Sequence, residues 1–342
     1  MGITLRKDVF SRLPNLKGVV STPDQRAEMI LGALAVGSLV LIGFMIAFVM
    51  GEAWPSFANN GFFKWFGWGG NTDQQLEGIF NSPGDPASYV YEIRTFPLLY
   101  GTILITGGAV IIATVLSVLS AVFIVEFAPE ALRRALEPIV KLLAAVPSVI
   151  YGLIGVLVIV PFFDQVFITE GAKESVQYVI QLTGSNITVA VFILTIMIAP
   201  IMIAIVVNAL NSVPDSWSQG AIALGVNRWR AMWTVVVRAA RPAIVAAAVL
   251  ATARALGEAI MLSMVSGSVS FSPNPLDGLI FFLEPARPYA PAIVENSEGL
   301  TIPPFGQTIY AFAAVLLFSA GMLSFAGWFI RQKLRKYTLT PT

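Results

Sequence analysis

Apolar residues dominate six stretches of the chain, residues 29–50, 97–125, 142–163, 187–210, 242–267 and 304–330. A hydrocarbon layer about 30 Å thick requires roughly 20 residues of helix, so each stretch is long enough to span it. Only the stretch 242–267 contains charged side chains, Arg254 and Glu258. The predicted fold class is an all-α integral membrane protein with six transmembrane helices. The first apolar run is too long for a signal peptide and is read as a retained span.

The polar intervals set the orientation. Before the first span, between the second and third, between the fourth and fifth, and after the sixth lie 16 lysines and arginines, among them Arg26, Arg133, Arg134, Lys141, Arg228, Arg230, Arg238, Arg241 and Arg331. The alternate intervals hold four, Lys64, Arg94, Lys173 and Arg287. Positive residues stay cytoplasmic, so both termini are expected there. On this reading residues 1–26 form a cytoplasmic segment, 27–96 the first transmembrane helix and a long external loop, 95–330 a five-helix core, and 331–342 a basic cytoplasmic tail. The external loop is rich in interfacial aromatics, Trp54, Trp65 and Trp68.

Composition narrows the chemistry. The 342 residues are 56% hydrophobic and 12% charged, with a mean hydropathy of +0.77, a balance that needs lipid as solvent. The net charge of +1 offers nothing to nucleic acid. Cysteine and histidine are both absent, which removes disulfides, thiolate nucleophiles, the usual zinc ligands and the commonest general base. No Gly-Lys-Ser/Thr phosphate loop occurs. No cofactor is therefore expected in this chain, and if transport is driven by ATP the hydrolysis belongs to another polypeptide.

The interval 213–241 is patterned as more than a connection. Pro214-Asp215-Ser216 is a helix-start signal, residues 217–224 fit two turns, and Gly225 is placed to end them. Asn227 can cap a second helix, in which Trp229, Met232, Trp233 and Val236 recur at three- and four-residue spacing. By spacing alone, the pair is a helical hairpin resting at the membrane surface.

Arg254 and Glu258 stand near the middle of the fifth stretch. A charge at that depth costs on the order of 2.5 to 3.5 kcal/mol on insertion scales, so neither is expected to face lipid. Spacing of four puts both on one face of an unbroken helix, where they can pair. Such a pair fixes helix packing or takes part in a transport path. A buried arginine is a natural oxyanion ligand, because its planar fork donates two hydrogen bonds.

The run Gln219-Gly220-Ala221-Ile222-Ala223-Leu224-Gly225, followed by Val235-Val236-Val237, resembles the EAA loop of ABC importer permeases. In that family the short helix sits in a cleft of the ATPase subunit, and the glycine provides its sharp exit. Gln219 stands where the family usually has glutamate, Gly220 where it has alanine, and Arg238 where proline commonly follows. The resemblance makes Gln219, Gly220, Ala221, Leu224 and Gly225 the ATPase-coupling residues.

Arg254-Ala255-Leu256-Gly257-Glu258 and the run from Ala259 to Val265 are similar to the arginine-glutamate segment of phosphate-specific transporter permeases. Leu143-Ala144-Ala145-Val146-Pro147-Ser148-Val149-Ile150-Tyr151-Gly152-Leu153 and Tyr100-Gly101-Thr102 look like the same family. The long aromatic interval after the first span and the methionines after Glu258 favour its PstC-type members. The resemblance implies a type I ABC importer permease in the cell membrane, forming half of a phosphate path gated by Arg254 and Glu258. The partners it implies are a PstA-like permease, a PstB-like ATPase dimer that hydrolyses ATP-Mg, and a PstS-like external phosphate-binding protein. Another oxyanion, molybdate or sulfate, fits the same architecture. An ion channel or secondary transporter would also use an intramembrane charge pair.

Overall fold

A computed structural model describes residues 22–176 and 181–334. Most of the segment 1–26 and of the tail 331–342 therefore lies outside the described residues. Among the described residues the regular structure is helical, with no β-strand and one isolated bridge between Gly267 and Ala286. Six helical segments are long and apolar enough to cross a membrane: Ala27–Asn60, Phe96–Phe127, Ser148–Phe167, Ile187–Asn211, Arg228–Leu256 and Phe305–Lys333. They are called spans one to six.

The described residues fall into two units, divided between Gly51 and Glu52. Helix α1, Thr22–Asn60, begins in the first. Its Met29, Leu31, Leu39 and Phe44 are each more than 60% exposed, a surface for which lipid is the fitting solvent.

The second unit continues α1 into the short helices α2, Phe62–Trp65, and α3, Thr72–Phe80, the latter capped by the Asn71 side chain. Span two is α4, Phe96–Val122, plus a π-helical turn, Phe123–Phe127. After it come the amphipathic α5, Glu130–Ala144, and span three, built from α6, Ser148–Ile154, a π turn, Gly155–Ile159, and α7, Val160–Phe167. Helix α8, Glu170–Val176, precedes span four, α9, Ile187–Asn211. The interval after it holds α10, Asp215–Ala223. Span five runs through α11, Arg228–Ala231, a π turn, Met232–Val236, and α12, Val237–Leu256. Helices α13, Ile260–Val265, and α14, Tyr289–Glu295, lead to span six, α15, Phe305–Leu334.

Spans two and four form the centre. Ala109, Ala113 and Ala190 bring their backbones close, and Ser117 Oγ donates to the Ala199 carbonyl at 3.2 Å. Ala247, Ala251 and Ala255 are buried on one side of α12, so span five joins the bundle through a stripe of small residues.

Three boundaries differ from the expectation. Span three starts at Ser148, not Leu142, because Pro147 is held at φ −59° and ψ 137° before the helix. A residue so placed breaks the helical path, and Leu142–Ala144 close α5 instead. The helix after Asn227 does not lie on the surface as the second arm of a hairpin: it runs straight into span five, with Pro242 inside it. Span five in turn stops at Leu256 and does not continue to Gly267.

Candidate functional site

The end of span five is an interruption and a restart. Gly257 closes α12 at φ −84° and ψ 0°, and the Glu258 N–H donates to the Ala255 carbonyl at 3.2 Å. Glu258 Oε1 then accepts from the Met261 N–H at 3.3 Å, capping the first turn of α13. Glu258 is 9% exposed, whereas Arg254 is exposed. No ion pair joins them among the described residues. The expected pairing at spacing four needs an unbroken helix, and the break at Gly257 removes that register. The correction is that Glu258 serves the first turn of α13 and is not the ion-pair partner of Arg254. The charge of Arg254 reaches Tyr151 of span three, whose hydroxyl donates to the Leu143 carbonyl at 3.1 Å. Arg254 lies 13 residues beyond Arg241, about 20 Å along the helix and within the depth of a hydrocarbon layer.

Two glycines of span three seat α13. A methyl group at Gly152 would meet Met264 Sδ at 2.8 Å and the Met261 Cα at 3.1 Å, and one at Gly155 would meet Val265 Cγ1 at 2.7 Å. The absent side chains let the backbone that carries Glu258 approach span three closely. Non-helical backbone at such depth is tolerated where protein buries it or a water-filled cavity meets it.

The interval after span four keeps the predicted helix-glycine-helix order. Gly225 is at φ +86°, the left-handed region that favours glycine, and a side chain there would meet nothing within 4 Å. Asn227 Oδ1 accepts from the Arg230 N–H at 2.7 Å, the expected cap. Gln219, Gly220 and Leu224 are exposed, Leu224 by 87%, and Ala221 is half-buried.

The face that carries α3 holds a charge cluster that sequence separation concealed. Arg287, with a side chain 10% exposed, bonds to Asp73 of α3 through Nη1 and to Glu295 of α14 through Nη2. Ser270 N–H and Oγ both donate to Asp73, at 3.1 and 2.8 Å, and Ser268 Oγ donates to Glu295 at 2.7 Å. The loop that leaves α13 is thereby tied to α3 and α14. Asp73 and Arg287 stand 214 residues apart, and no spacing rule finds such a pair.

Near this cluster Glu284 is 3% exposed, and burial pushes its carboxyl up to about 7, with Asp277 adding to the rise and the Asn274 N–H opposing it. Its ordinary value is 4.5, so between about 4.5 and 7 the folded chain holds a proton that the unfolded chain has lost. Stability from this group therefore falls as pH rises through that window and is level above it. Glu284→Gln is expected to flatten the fall, which amounts to at most about 3 kcal/mol. Thermal unfolding in detergent at pH 5 and pH 8 measures it, and an unchanged difference between the two would refute the assignment.

Comparison with known proteins places these features. The family model for the binding-protein-dependent transport system inner membrane component matches residues 113–332. A probable ABC transporter permease protein, YqgH of Bacillus subtilis, is 36% identical over 182 residues, 53% of this chain and 55% of its own. The phosphate transport system permease protein PstC of Pasteurella multocida is 31% identical over 246 residues, 70% of this chain and 71% of its own. The probable PstC of Methanocaldococcus jannaschii is 30% identical over 259 residues, 74% and 76%. Among solved structures, a bacterial alginate ABC transporter with its substrate-bound periplasmic protein aligns at a TM-score of 0.55 and 15% identity, covering 94% of this chain and 99% of that one. The MetNI methionine ABC transporter in an inward-facing conformation aligns at 0.51 and 18%, covering 70% and 95%. At such identities the two structures speak for the fold alone.

Proposed function

We propose, from the premise that this chain belongs to the binding-protein-dependent transport system inner membrane components, that it is the PstC-type permease subunit of an ATP-driven phosphate importer. The observation that carries the reading is the interrupted span five. There the Arg254 guanidinium has no ion-pair partner among the described residues, and Glu258 is engaged in capping α13. A guanidinium with no carboxylate partner presents its fork to an oxyanion in transit. Glu258, four residues on, supplies a negative charge that returns the site to rest after the anion leaves. The similarity to PstC proteins selects phosphate among the oxyanions.

The chain itself catalyses nothing. A separate PstB-like ATPase dimer binds ATP-Mg and receives α10 in its cleft, through Gln219, Gly220, Ala221, Leu224 and Gly225. A PstA-like permease completes the path, and a PstS-like protein delivers phosphate from outside. Closure of the ATPases moves α10, the movement reaches the spans, and the site opens alternately to each side.

Both termini and α10 are cytoplasmic on this reading. Single cysteines at Arg134 and Asn227 are then shielded from an impermeant thiol reagent in intact cells, and cysteines at Gln75 and Asn296 react. Labelling of the Asn227 position from outside would invert the topology. The function is tested by uptake of radiolabelled phosphate into vesicles that contain the co-expressed complex. Phosphate competition with no competition from sulfate or molybdate is the expected outcome, and preferential uptake of either of those would transfer the assignment to it.

A further inference from the structure

The helix α10 is undercut. A cavity of about 650 Å³ lies between its Ser218, Gln219 and Ile222 and the ends of spans two, four and five, among them Glu126, Asn211 and Met232. Beside that hollow α10 packs chiefly on the start of span five, α11 and the π turn Met232–Val236, so force applied to it passes to that segment and through its two ends. The entrance is short, Ser212–Pro214 from span four. The exit passes through Gly225, a residue with no side chain at φ +86°, and by itself it is the softer of the two.

Immediately beyond that turn the chain is gripped. Arg228 Nε donates to the Glu126 carboxylate, and Arg228 Nη2 donates to the carbonyl of the same residue at 2.8 Å. The guanidinium also stands 6.0 Å from the centre of the Phe127 ring, which in turn meets Trp229 at 5.6 Å. Glu126 belongs to the π turn that ends span two. Its neighbour Ile124 shares an apolar cluster with Val206 of span four and Met232 and Val236 of span five. The grip therefore binds the exit of α10 to a block in which three spans meet.

We propose that Glu126 and Arg228 are a positioning pair for ATP coupling: they brace the exit of α10 on span two, so that a push on α10 displaces the spans and is not lost by collapse into the hollow. Gln219 is uncharged, and the acidic group that holds this loop comes from span two. The inference rests on the reading of α10 as the ATPase contact. It adds that span two, not span five alone, receives the stroke.

The test uses the whole reconstituted complex, with phosphate uptake and ATP hydrolysis measured together and normalised to assembled protein. Glu126→Gln and Arg228→Gln are each expected to keep ATP hydrolysis within about twofold and to lower phosphate moved per ATP about tenfold. A defect of folding alone would lower both in proportion. Because this chain has no cysteine, the pair E126C and R228C, joined by a bifunctional methanethiosulfonate linker long enough to replace the two long side chains, gives a brace that reduction removes. Linked, it is expected to recover the wild-type ratio of phosphate to ATP; reduced, it is expected to show the low ratio of the single variants. An equal and normal ratio in both forms overturns the proposal, and so does loss of coupling in the linked form, which would mean that the two residues must part. If the wild-type complex moved no phosphate at all, the functional reading would fail first, whatever the variants did.

Discussion

Exchange of the two charges of span five, Arg254→Glu with Glu258→Arg, is expected to leave an assembled complex whose phosphate uptake is at least 100-fold below wild type. An ion pair at one-turn spacing survives exchange, because attraction does not depend on which partner bears which sign. These residues have different tasks. Glu258 Oε1 caps the Met261 N–H, and arginine, a donor only, cannot accept that hydrogen bond. An arginine at position 258 would stand beyond the break at Gly257, away from the place of Arg254, and in a site that is 9% exposed. Glu258→Gln separates the tasks further: its amide oxygen can still accept from Met261, so insertion and assembly are expected to be normal while the charge is gone. Near-normal uptake by the exchanged protein would reduce the pair to packing and end the transport role.

A valine at Gly152 is expected to abolish uptake with almost no loss of protein from the membrane. The first methyl would sit 2.8 Å from Met264 Sδ and 3.1 Å from the Met261 Cα. The sulfur can swing aside, but the α-carbon cannot move without the backbone of α13, and Glu258 caps that same turn. Overpacking of this kind costs about 1 to 3 kcal/mol, too little to unfold six spans but enough to shift a two-turn helix at the site. Gly321→Val in span six is the matched control, since a methyl there meets nothing within 4 Å. The measure is uptake per assembled complex, and an active Gly152→Val protein would show that α13 needs no fixed seat.

The six spans were legible because a bilayer asks for one feature, length without charge, and the chain provides it in runs. Span four began where expected, at Ile187, and ended one residue later than the expectation, at Asn211. The turn of α10 was equally readable: only glycine is at ease at φ +86°, and Asn227 stands where a cap is needed. The break at Gly257 was not readable. Five alanines between Ala246 and Ala253 favour helix, and one glycine costs only about 1 kcal/mol, so nothing local announces the stop. What decides it is tertiary, the fit of α13 against Gly152 and Gly155 together with the cap from Glu258. Helix α5 was hidden for a different reason: its last apolar residues, Leu142 and Leu143, adjoin those of span three across Pro147 and read as one run. Arg287 was seen as a member of a charge count and Glu126 not at all, because Asp73 and Arg228, which they meet, lie 214 and 102 residues away.

The three π turns, Phe123–Phe127, Gly155–Ile159 and Met232–Val236, each hold one residue more than an α-helical path of the same rise. One residue is about 100° of rotation. The turn of span two closes it, whereas spans three and five continue beyond theirs. Spans three and five are therefore each two helices out of phase, and a residue before the turn and one after it address different neighbours although the axis continues. Such a turn is a single-residue insertion that the helix has absorbed. Moving it along the span by one position would turn everything between the old place and the new by the same angle, while the ends stayed where they are. In these two spans a side chain can thus change the surface it faces without any change in the length of the chain or the tilt of the helix.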